Sequence, residues 1–207
     1  MKKIITFLFI LFVFVFLSFK NDSENKKEFE GLIEYQIGIN SNDAKIKKEQ
    51  ESLYGTILKF YYKNGNYSII YNGSKKVKRV VYSCERNKIF QFDKNNKLIE
   101  TIDCSEKDER EVIISKTSES NEIICNRKCK NYLEQLEDGE IHSFYFDPEI
   151  FINPEHFKNF SLMYGPIKNM KSQYLGYTYT TLNNYTLTYR AINIVETELY
   201  DKIFEIN

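Results

Sequence analysis

The chain has 207 residues, and Lys plus Arg balance Asp plus Glu at 29 each. A balanced chain has no electrostatic reason to bind nucleic acid, whose affinity rests on phosphate neutralisation. Sixteen Tyr, sixteen Phe, no Trp, eight Gly and three Pro exclude collagenous and linker-like classes and favour strands, where aromatic rings pack on a half-buried pleated surface.

Met1-Lys2-Lys3 precedes an apolar run from Ile4 to Leu17 that only Thr6 interrupts. A basic head before an apolar core is the layout of a secretory signal peptide. The run is about 21 Å of helix, short of the roughly 30 Å hydrocarbon core of a bilayer. Residues 1–18 are therefore expected to be a signal peptide, 19–28 a polar tether and 29–207 one β-rich domain. Cleavage is expected after Ser18. No Ala-x-Ala-like pair marks the site, so an uncleaved leader anchored in the inner membrane is the alternative to a periplasmic or secreted bacterial protein. After leader removal no stable transmembrane span is expected.

Period-two alternation places Ile33, Tyr35, Ile37 and Ile39 on one face of a first strand. Ser41 or Asn42 caps a predicted helix that ends at Gly55. Strands are then predicted at 56–63 and 66–71 around the Asn64-Gly65 hairpin turn, at 77–83, 88–92 and 98–103, and at 111–116, 122–125, 129–137 and 140–146. Asp147-Pro148 is read as a turn that ends a strand. Asn153-Pro154-Glu155 starts a turn, and His156–Phe160 forms one helical turn. Strands resume at 174–181 and 185–195, and Leu199, Ile203 and Phe204 are available to pack back on the sheet. Strands every ten residues or so with short polar turns predict a mainly β fold with minor α, an antiparallel meander.

The segment from Ser143 to Phe160, with its Tyr145-Phe146-Asp147-Pro148 element, resembles a group of exported Bacteroidetes proteins of unknown function. The opening Glu30-Gly31-Leu32-Ile33-Glu34-Tyr35, the middle segment 121–130 and the closing segment 201–206 share that plan. The group is similar in plan to the lipoprotein-carrier (LolA/LolB-like) superfamily. That resemblance implies a curved half-barrel wrapped around one or two short helices, with an apolar concave face. It carries over no catalytic residue.

Four cysteines in an exported chain meet an oxidising compartment. Meander parity places all four at one rim, with Cys125-Cys129 and Cys84-Cys104 as the pairings open to a disulfide and free thiols as the alternative. The Cys-x3-Cys spacing is not that of a zinc ribbon, so no metal is expected. Neither a Gly-x-Ser-x-Gly elbow, a His-Glu-x-x-His pair nor a phosphate-cradling glycine loop occurs. His142 and His156 are read as half-buried or surface histidines, and the pairs Glu134/Glu137 and Asp147/Glu149 as solvated charges. Asn-x-Ser/Thr triplets begin at Asn21, Asn66, Asn72, Asn159 and Asn184, and in a bacterial protein they are inert.

Phe60/Tyr62, Phe90/Phe92, Phe144/Phe146 and Tyr177/Tyr179 each put two rings on one face of a strand. They are core or the lining of an apolar concave face. The expected function is a non-catalytic, cofactor-free envelope binding module for a lipid or acyl chain. The alternative is a structural protein with a fully packed sheet that meets another envelope protein. The oligomeric state is not legible.

Overall fold

A computed structural model describes residues 26–106, 110–181 and 185–206. The expected signal peptide, residues 19–25 of the tether, and the triplets at Asn21 and Asn184 lie outside the described residues. Eleven strands form one antiparallel sheet: β1 Gly31–Ser41, β2 Ile57–Lys63, β3 Asn66–Asn72, β4 Arg79–Ser83, β5 Lys88–Phe92, β6 Leu98–Asp103, β7 Val112–Ile124, β8 Arg127–Leu136, β9 Ile141–Phe151, β10 Ser172–Thr180 and β11 Tyr185–Glu196. Their spatial order is β6-β5-β4-β3-β2-β1-β11-β10-β9-β8-β7. Two meanders, β1–β6 and β7–β11, are thus joined along a central β1–β11 seam, where Tyr35 pairs with Ala191 and Ile37 with Tyr189.

The sheet is curved. At its far end the β7–β8 hairpin reaches back to β11, four places away in the order. Arg190 donates to Glu122 Oε2 at 3.0 Å and to the Ile123 carbonyl at 3.0 Å, and Cys125 Sγ donates to the Ala191 carbonyl at 3.3 Å. Gly176 on β10 makes the approach possible: a Cβ there would sit 2.9 Å from Ile124 Cδ1 and 3.2 Å from Tyr145 Cβ.

The helices lie against the sheet. Helix α1, Ala44–Tyr54, is capped by Asp43, whose Oδ1 accepts from Lys45 N at 2.7 Å and Ile46 N at 3.4 Å. Neither expected cap, Ser41 or Asn42, is the capping residue; Ser41 Oγ accepts from Asp43 N and so steadies it. Gly55, at φ 73°, ends the helix. A 3₁₀ turn, Pro154–Phe157, and helix α2, Ser161–Met170, lie between β9 and β10. Helix α2 was not expected from sequence.

Two strands also differ from expectation. The runs 111–116 and 122–125 are one continuous strand, β7. Its polar middle, Thr117 to Asn121, looks like a turn, but β7 is an edge strand exposed along most of its length, so neither face needs apolar residues. Asp147-Pro148 lies inside β9 rather than at its end. The register with β10 jumps from Phe146↔Tyr174 to Phe151↔Ser172, and proline is tolerated in such a bulge. Asp147 holds it: its Oδ1 accepts from Glu149 N at 3.0 Å and its carbonyl accepts from Ser172 Oγ at 2.7 Å.

The main core lies on one face of β1–β5 and β11 and includes Ile33, Tyr35, Leu58, Phe60, Tyr62 and Tyr82. A smaller cluster of Val81, Phe90 and Phe92 occupies the opposite face of β4 and β5, covered by Ile206. That placement follows from register, since Val81 faces Phe90 while Tyr82 faces Ile89.

The seam gives a direct test. A Cβ at Gly31 would lie 2.1 Å from the Val195 carbonyl oxygen, a backbone atom that cannot swing aside. Gly31→Ala is expected to lower unfolding free energy by about 1–3 kcal/mol, read by urea denaturation. An unchanged midpoint would show that the β1–β11 pairing at this end is dispensable.

Candidate functional site

The expected aromatic pairs divide by location. Phe60 and Tyr62 are on the concave face, but Tyr62 is fully buried, with rings of Phe29, Phe60 and Phe157 each 6.4 Å away. These two belong to the core. Phe90 and Phe92 sit on the convex face under Ile206 and do not meet the others. Arg79 lies 4.4 Å over the Phe92 ring.

Phe144, Phe146, Tyr177 and Tyr179 come together on β9 and β10. Phe144 and Tyr177 are 4.9 Å apart, Phe144 also meets Tyr132 of β8 at 6.0 Å, and Tyr177 stacks on Tyr189 of β11 at 5.8 Å. Opposite this aromatic wall runs α2. Between them is an open cleft of about 420 Å³. Its apolar lining includes Val112, Leu136, Phe144, Leu162, Met163 and Tyr177. Phe146 is buried behind the wall with Met170, and Tyr179 lies beside it, its ring 4.8 Å from His142.

Among the described residues, Glu134, His142 and Arg110 reach the cleft beside the tyrosines Tyr174 and Tyr177. Glu134 lies on β8 directly across from His142 on β9 and Ser115 on β7. Its Oε1 accepts from Tyr132 OH at 2.6 Å. Tyr132 OH in turn accepts from Asn169 Nδ2 of α2 at 3.1 Å and shares a bond with Ser115 Oγ at 3.0 Å. Burial raises the Glu134 carboxyl above its ordinary range, and the Tyr132 hydrogen bond opposes that only partly. Burial likewise pushes Tyr132 up to about 12. His142 Nδ1 and Tyr177 OH lie 2.9 Å apart. Arg110 is bound to Glu140 at 2.5 Å and Asp138 at 3.2 Å, and Glu140 also accepts from Tyr179 OH at 2.7 Å.

The other acidic pairs form no joint site. Glu137 is exposed at the β8–β9 turn, while Asp147 is engaged by Arg127 at 2.9 Å. His156 Nε2 meets Glu28 Oε2 at 3.2 Å, and Glu28 Oε1 accepts from Tyr62 OH and from Asn153 N at 2.9 Å. That cluster ties the end of the tether to the sheet. A larger hollow of about 740 Å³ lies nearby, but Lys26, Lys27, Glu28, Glu149, Glu196 and Glu198 line it, and it is a solvated gap.

The four cysteines are free thiols. Cys125 and Cys129 do not face each other across a three-residue turn. Ile124 pairs with Arg127, so the turn is Cys125-Asn126, both at positive φ, 51° and 60°, and Cys129 lies two residues up β8. Such a two-residue turn matches the twist of the flanking strands. Cys84 and Cys104 follow β4 and β6, which are separated by β5. Burial pushes Cys104 and Cys129 up to about 11.

No family model matches the chain, and no curated protein does. Among solved structures, a LolA superfamily protein from Nitrosomonas europaea aligns with 86% of this chain and 90% of its own, at 7% identity and a TM-score of 0.41.

Thiol chemistry offers a test. Iodoacetamide at pH 8 is expected to label Cys84 and Cys125 in the native protein well before Cys104 and Cys129, which are 4% and 1% exposed. Without reductant, unfolded protein is expected to take four labels by intact mass. Two labels or none would restore the disulfide reading.

Proposed function

We propose that the chain is an exported, non-catalytic binding module that holds an apolar ligand, a lipid or an acyl chain, between α2 and the aromatic wall of β8–β10. The observation that carries this reading is the cleft itself. Its volume falls within the roughly 300–1,000 Å³ of small-molecule sites, and its walls are apolar with a few convergent polar groups. Val112 and Leu162 at its walls are 48% and 57% exposed, so an occupant would cover apolar surface that otherwise meets water. The export component rests on the leader at residues 1–18, and the non-catalytic component on the missing hydrolase and metalloprotease motifs.

The second reading is a packed structural protein of the envelope. The β1–β5 half favours it, because Phe157 and Phe160 of the 3₁₀ region fill the concave side there, 5.6 and 5.0 Å from Tyr82.

Native mass spectrometry of the purified protein and thermal shift with single-chain lipids separate the two. Binding is expected in the first reading. The double change Val112→Ser and Leu162→Ser is expected to weaken that binding about thirtyfold, since each of the two lost apolar contacts is worth on the order of 1 kcal/mol. Its melting temperature should change little, because both side chains are largely exposed. Absence of co-purified lipid together with no thermal shift would leave the structural reading.

A further inference from the structure

We infer that the cleft selects apolar ligands whose polar end is a cation or a hydrogen-bond donor, and discriminates against those ending in a carboxylate. This rests on the binding reading above and names the ligand class of the same site. The carboxylate of Glu134 stands in the wall of an otherwise apolar cleft. Only one of its oxygens is engaged, by Tyr132 OH, and no basic side chain is paired with it among the described residues. Among the described residues Arg110 is the one cation in the lining, and two carboxylates, Asp138 and Glu140, are bound to it. Among the described residues, Glu134, Asp138 and Glu140 count three negative charges against the one positive charge of Arg110, a surplus of two at neutral pH. A half-buried charge acts through a medium far less polarisable than water, so its preference for an opposite charge is amplified. An anionic head would meet repulsion and lose its hydration; an ammonium or hydroxyl would find an acceptor.

The groups facing Glu134 from each packed element are few. From β7 comes Ser115, from β8 Tyr132, from β9 His142, and from β10 Tyr177, bonded to His142. The titratable side chains of α2 are Tyr164 and Lys168, and the Lys168 ammonium lies 5.5 Å over the Tyr164 ring rather than in the cleft lining. Ligand charge preference therefore follows the ionisation of Glu134, and His142 is the ionisable group that faces it from the neighbouring strand. As pH falls, Glu134 protonates earlier than an ordinary carboxylate because its carboxyl is raised. Protonation of His142 acts in the same direction.

The test uses three probes of one chain length, decylamine, decanol and decanoate, below micellar concentration, with calorimetric titration at pH 8. Decylamine is expected to bind at least tenfold tighter than decanol, and decanoate weakest. In Glu134→Gln, which keeps the volume and an acceptor for Tyr132, the amine-to-alcohol ratio is expected to fall below threefold while decanol binding is unchanged. Lowering the pH of the wild type to 5 should shrink the same ratio, and the Glu134→Gln variant isolates the contribution of His142. Equal binding of the three probes, or tightest binding of decanoate, by the wild type would overturn the inference while leaving the apolar cleft a binding site. Binding of none of them would overturn both.

Discussion

Residues 104–111 carry the chain from β6, at one edge of the sheet, to β7, at the other. Nine Cα steps separate Asp103 from Val112 and reach at most about 32 Å. Ten strand spacings of a flat sheet span about 48 Å. The link cannot cross a flat eleven-stranded sheet, so the sheet must curl until its edges come within its reach. Both ends of the link are anchored. Cys104 N donates to Asn87 O at 3.0 Å, and Glu111 O accepts from Glu137 N at 2.9 Å. The link also sets helix α2, because the Cys104 carbonyl accepts from Ser161 N, at the helix start, at 2.9 Å. One short covalent connection thus fixes the curvature and one end of the helix that forms the cleft's second wall.

Curvature alone makes a concave face; what fills it decides where a cleft survives. Over β2 to β4 the rings run from Tyr67 through Tyr82 to Phe157, Phe160 and Tyr62 at centroid distances of 5.0–6.4 Å, which leaves no gap wider than a side chain between neighbours. Over β8 to β10 the cover is α2, and its Gly165-Pro166 pair is thin. Gly165 has no side chain, and Pro166 has no N–H to give the Leu162 carbonyl. A Cβ added at Gly165 would lie 3.5 Å from Glu134 Oε1, in ordinary contact, so this thin stretch of the helix is the part that faces the carboxylate.

The strands were legible because alternation of apolar residues and Asn-Gly turns act locally: β1, β5, β6 and the 64–65 hairpin fall where the pattern puts them. The spatial order was not. Pairing of β1 with β11 joins residues some 150 positions apart, and no local signal in Ile33–Ile39 chooses Tyr189 and Ala191 over a sequential neighbour. Helix α2 carried a readable pattern, Met163, Pro166, Ile167 and Met170 at helical spacing, but Gly165-Pro166 in the middle reads as a break. All four aromatic pairs lie on the strands expected for them, and of their eight residues Phe144 and Tyr177 reach the lining of the cleft. Phe90 and Phe92 landed on the convex face because alternation tells which residues share a face and not which face is concave. Glu134 was visible only as one charge in a charged chain; its burial arises from α2, which the pattern hid.

The distribution of polarity along β7 argues that the open side of the cleft is a feature of the edge rather than a gap in packing. An exposed edge strand invites pairing with other chains, and charged or polar residues suppress it. The middle of β7, from Ser115 to Asn121, is polar throughout, and Lys130 on β8 pairs with its Glu119 at 3.2 Å. Only near its ends does it expose large apolar side chains: Ile123 at the far end, and Val112, Ile113 and Ile114, 48, 56 and 46% exposed, at the other, of which Val112 lines the cleft. Ile123 lies beside the point where Arg190 ties the hairpin back to β11. Val112 lies in the cleft wall, with Leu162 exposed on the facing helix, and Ile114, paired with Gln135, lies on the other face of the strand. Of this apolar exposure, that of Val112 and Leu162 lies where an apolar occupant would cover it, while the middle of the strand, which an apolar occupant would not need, is polar.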